Sequence, residues 1–437
     1  MNRYLEAVRG ADLTRRLGSV SEYHGLMVES VGPDVFVGEL CEVHARASAR
    51  PVAAEVIGIR NGRVMLMPYE ELRGLSYGAQ VVATGKAARA AVGEALLGRV
   101  VDAFGAPLDS GPPLALSDEQ PLYPSPINPL ERSRIDRILE TGVRVIDTML
   151  TIGRGQRVAV ISGSGVGKST LLGMIARNMD ADVNVIALVG ERGREVRHFI
   201  EDSLGAEGLR RSVVVVATSD QPALVRRRAA FCATAIAESF RSAGRHVVLM
   251  MDSVTRFAAA QREIGLALGE PPTARGYTPM TFASLPGLLE RGGAADGGSI
   301  SAFYTVLVEA DDFDDPVSDA VRAIVDGHLV LDRAIANRGR YPAVDLAHSV
   351  SRLLVDLAAK DEQALARRVL RLLSVHAASR ELIEVGAYRA GANPELDAAV
   401  KLMPALEEFL SQDAGTRSSR ADAVRQLRAI LGTRSAG

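Results

Sequence analysis

From Val20 to Arg89, short apolar runs such as Gly25-Leu26-Met27-Val28 and Val52-Ala53-Ala54-Glu55-Val56-Ile57-Gly58-Ile59 are separated by turn signals, Val31-Gly32-Pro33-Asp34 and Asn61-Gly62 among them. That pattern predicts a small antiparallel β-barrel over residues 20–90. Ahead of it, Leu5, Val8, Leu13 and Leu17 recur at helical spacing among charges. An amphipathic helix is expected over residues 1–19, docking on this chain or on a partner. Seven prolines fall between positions 107 and 129, which excludes both helix and central strand and predicts an extended strap over 107–129. Beyond it the period changes. Apolar runs at Val158–Ile161, Val183–Val189, Val213–Ala217, Val247–Met251 and Ile300–Val308 alternate with helical segments. They predict a largely parallel sheet covered by helices, within a domain spanning 91–357. From Ala358 the strand signals vanish and Leu365, Val369, Leu372 and Leu373 keep helical spacing, so a helical domain is expected over 358–437. Arg417, Arg420, Arg425 and Arg428 there interleave with Asp413 and Asp422, and are read as a solvated helix face. The fold class is thus α/β: an N-terminal β-barrel, a central nucleotide-binding domain with a mostly parallel sheet, and a helical C-terminal domain.

Composition narrows the function classes. The 437 residues carry a net charge of −2, so no global positive field draws the chain to nucleic acid. The barrel has few aromatics on which bases could stack, which favours an assembly role for it. Cys41 and Cys232 form no C-x-x-C pair, and the seven histidines show no zinc spacing. No apolar run is long enough to span a bilayer, and the N-terminus does not read as a signal peptide. A soluble, cytoplasmic protein is expected, able to sit at a membrane surface.

The candidate chemistry begins at Ser162-Gly163-Ser164-Gly165-Val166-Gly167-Lys168-Ser169-Thr170, between the run Arg157–Ile161 and a helical segment carrying Leu171, Leu172, Ile175 and Ala176. Strand, glycine-rich loop and helix form a phosphate cradle. Backbone N–H groups turn toward phosphate oxygens, Lys168 adds a full charge, and the Ser169 hydroxyl is offered to Mg²⁺. Ser162 stands where the strict pattern has glycine. The chain has only four lysines, Lys86, Lys168, Lys360 and Lys401, so one at this position is not an accident of composition.

Two carboxylates follow apolar runs. Val247 to Met251 ends in Asp252, expected on a strand neighbouring the phosphate loop and, with that loop, as the carboxylate of a Mg²⁺ site. Val183 to Val189 ends in Gly190-Glu191-Arg192-Gly193-Arg194-Glu195. Ligands gather at the carboxyl ends of parallel strands, so Glu191 faces the same crevice and can hold an attacking water. From pattern alone, a loop of self-paired charges reads equally well.

The segments Gly190-Glu191-Arg192-Gly193-Arg194-Glu195-Val196-Arg197, Asp252-Ser253-Val254-Thr255-Arg256-Phe257-Ala258, Pro271-Pro272-Thr273-Ala274-Arg275-Gly276-Tyr277, Leu285-Pro286-Gly287-Leu288-Leu289-Glu290-Arg291 and Gly386-Ala387-Tyr388-Arg389-Ala390-Gly391-Ala392-Asn393-Pro394-Glu395-Leu396-Asp397 together resemble the ATPases of flagellar and type III protein export, relatives of the catalytic subunits of rotary ATP synthases. The resemblance covers nearly the whole chain. It implies RecA-like architecture and ATP as substrate, with Gly163, Ser164, Gly165, Val166, Gly167, Lys168, Ser169 and Thr170 binding its phosphates. Ser169 and Asp252 become the Mg²⁺ residues, Glu191 the carboxylate that polarises water, and Arg192 a neighbour of the γ-phosphate with Arg256 close by. Tyr341, in Arg340-Tyr341-Pro342, matches the aromatic that stacks on adenine; a half-buried core tyrosine is the other reading. Arg352, in Ser349-Val350-Ser351-Arg352, matches an arginine that reaches into the neighbouring subunit's site. The implied assembly is a homohexamer with a central coiled-coil stalk protein. A regulator or stator-like protein binds the N-terminal helix, and export-gate membrane proteins, export chaperones and substrates complete the set, with no specific nucleic acid. The implied location is cytoplasmic, peripheral at the inner-membrane export apparatus, flagellar or injectisome.

A rotary ATP synthase subunit is the nearest alternative. Gly193 stands where those subunits carry Thr, and the C-terminal domain lacks their acidic rotor-contact motif. A ring RNA translocase would need basic, aromatic-rich loops that this chain does not have. A catalytically silent ring subunit is opposed by Glu191.

Overall fold

The computed structural model describes residues 15–46, 50–125, 127–295, 297–309 and 312–432. Six strands, β1 (Leu17–His24), β2 (Met27–Val31), β3 (Glu39–His44), β4 (Val52–Arg60), β5 (Arg63–Pro68) and β6 (Gln80–Ala87), close an antiparallel barrel in the order β1-β2-β5-β4-β3-β6. Alternation makes it close: along β3, Glu39, Cys41 and Val43 point in while Glu42 and His44 point out. Glu39 is buried yet satisfied, accepting hydrogen bonds from Arg16 Nη2 at 2.9 Å and Gly85 N at 2.8 Å. Where β1 meets the turn after β2, only glycine fits, because a Cβ on Gly18 would lie 2.2 Å from the Gly32 carbonyl oxygen. Leu17, expected on the N-terminal helix, instead begins β1, and the rest of that expected helix, residues 1–14, lies outside the described residues.

The strap is held rather than free. Arg99 grips Asp109 through two nitrogens, with Nε at 3.0 Å from Oδ1, and its guanidinium holds that carboxyl down to about 2. Residues Asp118–Pro121 pair antiparallel with Arg89–Val92 in a two-stranded ribbon, the peripheral pairing that proline permits.

The central sheet is built from β7 (Val100–Asp102), β8 (Arg157–Ser162), β9 (Val183–Val189), β10 (Ser212–Ala217), β11 (His246–Asp252), β12 (Gly298–Leu307), β13 (Gly327–Leu331) and β14 (Val344–Ser351). Its order is β14-β13-β8-β12-β11-β9-β10-β7, parallel except for β14 and for a short ninth strand, Gly293–Ala295, that pairs antiparallel with β12. Every residue of β9 and β11 is buried, as expected of strands covered on both faces. On one face pack α3 (Ala223–Ser242), α4 (Val254–Ala267) and α5 (Pro279–Leu289); on the other packs α1 (Lys168–Asn178), while the short helix α2 (Gly193–His198) follows β9. One expectation is corrected: β11, which carries Asp252, is not next to β8, because β12 lies between them.

The C-terminal helices α6 (Lys360–Ala378), α7 (Pro394–Leu410) and α8 (Arg420–Leu431) extend the second core. The segment between α7 and α8 bonds the nucleotide-binding domain as well. Gln412 donates through its backbone N to the Tyr341 carbonyl at 2.8 Å and accepts from Arg144 N at 2.8 Å, and Arg177 Nη2 of α1 donates to the Ala414 carbonyl at 2.7 Å. The solvated arginine face holds only in part. Arg420 is largely buried and forks onto Glu362 of α6, with Nη2 2.6 Å from Oε2, and Arg428 bonds Asp361; both tie α8 to α6. Arg425 is exposed as expected and pairs within its own helix.

Candidate active site

β8 ends at Ser162, and the chain turns through Gly165 and Gly167, at φ +78° and +89°, before α1 begins. Both angles belong to glycine. Val166 is buried and pins the loop to the core, whereas Ser164, Gly165 and Thr170 face outward. No side chain caps α1, so its first N–H groups are open to an anion. Ser162 takes the first position without strain on the ladder: its carbonyl accepts from Val308 N at 3.0 Å, and its Oγ is buried with no partner.

Three side chains from three separate elements converge beyond the strand ends. Lys168 Nζ bonds Asp252 Oδ1 and lies 3.9 Å from Glu191 Oε1. Glu191 follows β9, which pairs Leu188 with Asp252 of β11, so the sheet register sets the two carboxylates side by side. Its loop is pressed against Arg256, since a Cβ on Gly190 would lie 2.8 Å from the Arg256 Cβ. Burial is the main cause that pushes Glu191 up to about 7, with the Asp252 charge and a hydrogen bond to Glu195 adding to it, against the pull of Lys168 and Arg256. Glu195, in the first turn of α2, is held below the usual range by the same bond. A carboxyl that titrates near neutrality beside an ammonium and a second carboxylate is suited to proton chemistry at physiological pH.

The other expected residues fall in two places. Tyr341 is 45 % exposed, and its ring lies over the phosphate loop, where a Cβ on Gly167 would come within 3.2 Å of it. Arg192 is exposed, 3.8 Å from Glu195. Ser169 stands in the first turn of α1. Arg352 is elsewhere. Ser351 pairs with Gly327, and Gly327 pairs with Val158, four residues before Ser162. That places Arg352 at the amino end of the parallel strands, about 13 Å of strand below the phosphate loop. It is solvent-exposed and donates to the Arg322 carbonyl at 3.3 Å. It does not reach the site of its own chain.

Sequence reasoning missed Thr305 of β12, which is fully buried and donates to Asp252 Oδ1 at 2.7 Å. Its one legible signal was a hydroxyl within the apolar stretch from Ala302 to Val308. Thr255, also missed, replaces a ladder partner at the end of β12, accepting from Leu307 N at 2.8 Å. Among the described residues no cluster of three or more His, Cys, Asp or Glu forms a metal site by itself, and no helix is long and apolar enough to cross a membrane.

Residues 142–351 match the nucleotide-binding domain of the ATP synthase alpha/beta family, residues 20–85 its beta-barrel domain, and residues 358–429 the C-terminal domain of the EscN-type type III secretion ATPases. The flagellum-specific ATP synthase of Bacillus subtilis is 50 % identical, over 98 % of both chains. The type 3 secretion system ATPase of Xanthomonas euvesicatoria is 47 % identical, over 95 % of this chain and 94 % of that one. The assembled ATPase EscN from the type III secretion system of enteropathogenic E. coli superposes with a TM-score of 0.89 at 42 % identity, over 95 % of this chain and all of that one. EscN has also been solved in complex with its central stalk EscO, and that structure superposes with a TM-score of 0.87 at 41 % identity.

Proposed function

The chain belongs to the flagellar and type III secretion branch of the ATP synthase alpha/beta family, and from that membership we propose that it hydrolyses ATP at sites shared between neighbouring copies of a homohexameric ring, to drive protein export. The observation that carries this reading is the division of the expected residues between two ends of one sheet. Lys168, Glu191 and Asp252 meet at the carboxyl end, and Arg352 stands exposed at the amino end. In a head-to-tail ring each copy offers one end to its neighbour, so every site receives an arginine in trans.

The chain's own groups divide the work. The open N–H groups of α1 and the Lys168 ammonium bind the β- and γ-phosphates, so Lys168 exchanges Asp252 for phosphate when nucleotide arrives. Tyr341, already against Gly167, stacks on the adenine. Ser169 and Asp252 supply hard oxygen donors, a set that fits Mg²⁺ held mainly by phosphate oxygens and water. When bound, Mg²⁺ neutralises charge on the phosphates. Glu191 in its ionised form accepts a hydrogen bond from the attacking water and orients it in line with the γ-phosphate. Arg352 of the next copy, with Arg192 nearby, stabilises the charge of the transition state. An arginine of this kind contributes about 10³–10⁵ in rate, which makes assembly itself a switch.

Around this ring the reading places a coiled-coil stalk protein in the centre, supported by the central stalk of the EscN–EscO complex, and a regulator at the segment ahead of β1. Export-gate proteins at the cytoplasmic face of the inner membrane receive the cargo, and hydrolysis releases chaperones and unfolds or loads substrates. Specific activity measured against protein concentration tests it. A steep rise on assembly is expected, and Glu191→Gln should bind nucleotide normally with turnover lost. Activity independent of concentration, or unchanged turnover in Glu191→Gln, contradicts it.

A further inference from the structure

The geometry points to Thr305 as a positioning residue that fixes the Asp252 carboxylate when Lys168 leaves it for the nucleotide; this rests on the reading of Asp252 as a Mg²⁺-site group. Asp252 Oδ1 accepts from two donors, the Lys168 ammonium and the Thr305 hydroxyl, the latter at 2.7 Å. The two donors differ in kind. Lys168 is a long, flexible side chain at the start of α1, and the phosphates compete for it directly. Thr305 is fully buried on β12, the strand between the phosphate-loop strand β8 and the Asp252 strand β11. Register keeps it there: Met251 pairs with Tyr304 and Val160 with Thr305, so the hydroxyl is level with Asp252 and cannot withdraw unless the sheet shifts.

The proton of that hydroxyl has one competing acceptor, the Met251 carbonyl at 3.3 Å, and the carboxylate at 2.7 Å is the nearer and the charged one. Once Lys168 turns to phosphate, Thr305 becomes the remaining of those two donors on Oδ1. It then holds the carboxylate plane and leaves Oδ2 for the cation and its water. Without the hydroxyl the carboxylate can rotate, and it would meet the cation in many orientations instead of one.

The test separates the metal-dependent part of binding from binding as such. Dissociation constants of the non-hydrolysable analogue adenylyl imidodiphosphate are measured by calorimetry, with Mg²⁺ and with EDTA, for wild type, Thr305→Val, Thr305→Ser and Asp252→Asn. Thr305→Val is nearly isosteric and should bind the analogue in EDTA as wild type does. Its gain in affinity on adding Mg²⁺ should fall by about tenfold, the effect of losing one hydrogen bond to a charged group. Thr305→Ser, which keeps the hydroxyl, should restore the gain to within about twofold, a rescue that a packing role would not give. Should the valine variant fail to fold, Thr305→Ala against Thr305→Ser gives the same comparison. A full Mg²⁺ gain in Thr305→Val, or an equal loss in Thr305→Ser, overturns the inference while Asp252→Asn still shows its own loss. A full gain in Asp252→Asn shows instead that the reading of Asp252 is wrong.

Discussion

Glu191 carries the largest consequence at the scale of single residues. Its carboxyl is raised to about 7, chiefly by burial, and the role proposed for it needs the ionised form. The acid limb of kcat/KM for ATP should therefore have its midpoint near pH 7, with activity rising as pH rises through it, and a flat profile between pH 6 and 8 would contradict the role. The sign for stability is opposite. A carboxyl whose folded pKa exceeds the unfolded 4.5 binds more protons when folded between those two values, so the folded chain loses stability as pH climbs from about 4.5 to about 7. Glu191→Gln should thus be more stable than wild type above pH 7, by roughly 1–3 kcal/mol, and equal to it near pH 4. At this scale the sequence was readable where a motif fixes the backbone. Lys168 and Ser169 follow from the glycines before them. Glu191 needed a family resemblance to be chosen over a self-paired loop, and its proximity to Asp252 is a property of strand register that no local pattern encodes. Thr305 was hidden for the same reason, since its partner lies 53 positions away in sequence.

Among the elements, periodicity served best where burial is complete. The apolar runs of β8 to β12 were located within about a residue or two, because a strand covered on both faces has no polar position to blur it. The short strands β7 and β13 and the antiparallel edge strand β14 were not read. Their stabilisation comes from neighbours distant in sequence, and β14 carries exposed residues at His348 and Val350. Arg420 was misread because a helix pattern shows which residues share a face and not what another helix places opposite, here Glu362. The helix that presents the phosphate loop gives a sharper case. Gly173 sits where a Cβ would lie 2.4 Å from the Ser203 carbonyl oxygen, so α1 can pack only with glycine there. Alanine is the better helix former by about 1 kcal/mol, but the contact is with backbone and cannot give way cheaply. Gly173→Ala is expected to lower stability by about 1–3 kcal/mol and to weaken nucleotide binding by shifting Lys168 and Ser169. Thermal unfolding and nucleotide titration check both effects, and a stabilised variant with normal affinity would show that α1 is not fixed by this contact.

For the whole molecule, the arrangement of the sheet matters more than any one contact. β14 begins just after Tyr341, at the phosphate loop, and ends just before Arg352, at the opposite end of the sheet. On the proposed reading, one strand joins the base-binding end of a copy's own site to the residue it offers its neighbour. The segment between α7 and α8 bonds the Tyr341 carbonyl through Gln412 and the phosphate-loop helix through Arg177, so a displacement of the C-terminal helices is transmitted directly to the phosphate loop. Length predicted a multi-domain chain, but not the proposed division of a site between copies, because that depends on which end of a sheet an exposed arginine occupies. Mixing two inactive variants tests that division most directly. Arg352→Ala keeps Lys168, Glu191 and Asp252 but offers no arginine; Glu191→Gln offers Arg352 but cannot orient the water. Each alone should hydrolyse ATP at a small fraction of the wild-type rate. In an equimolar mixture about one interface in four pairs an intact Glu191 with an intact Arg352 from the neighbour, and ATPase activity should recover toward about a quarter of wild type. No recovery in rings shown to contain both variants would mean that Arg352 does not complete the neighbouring site.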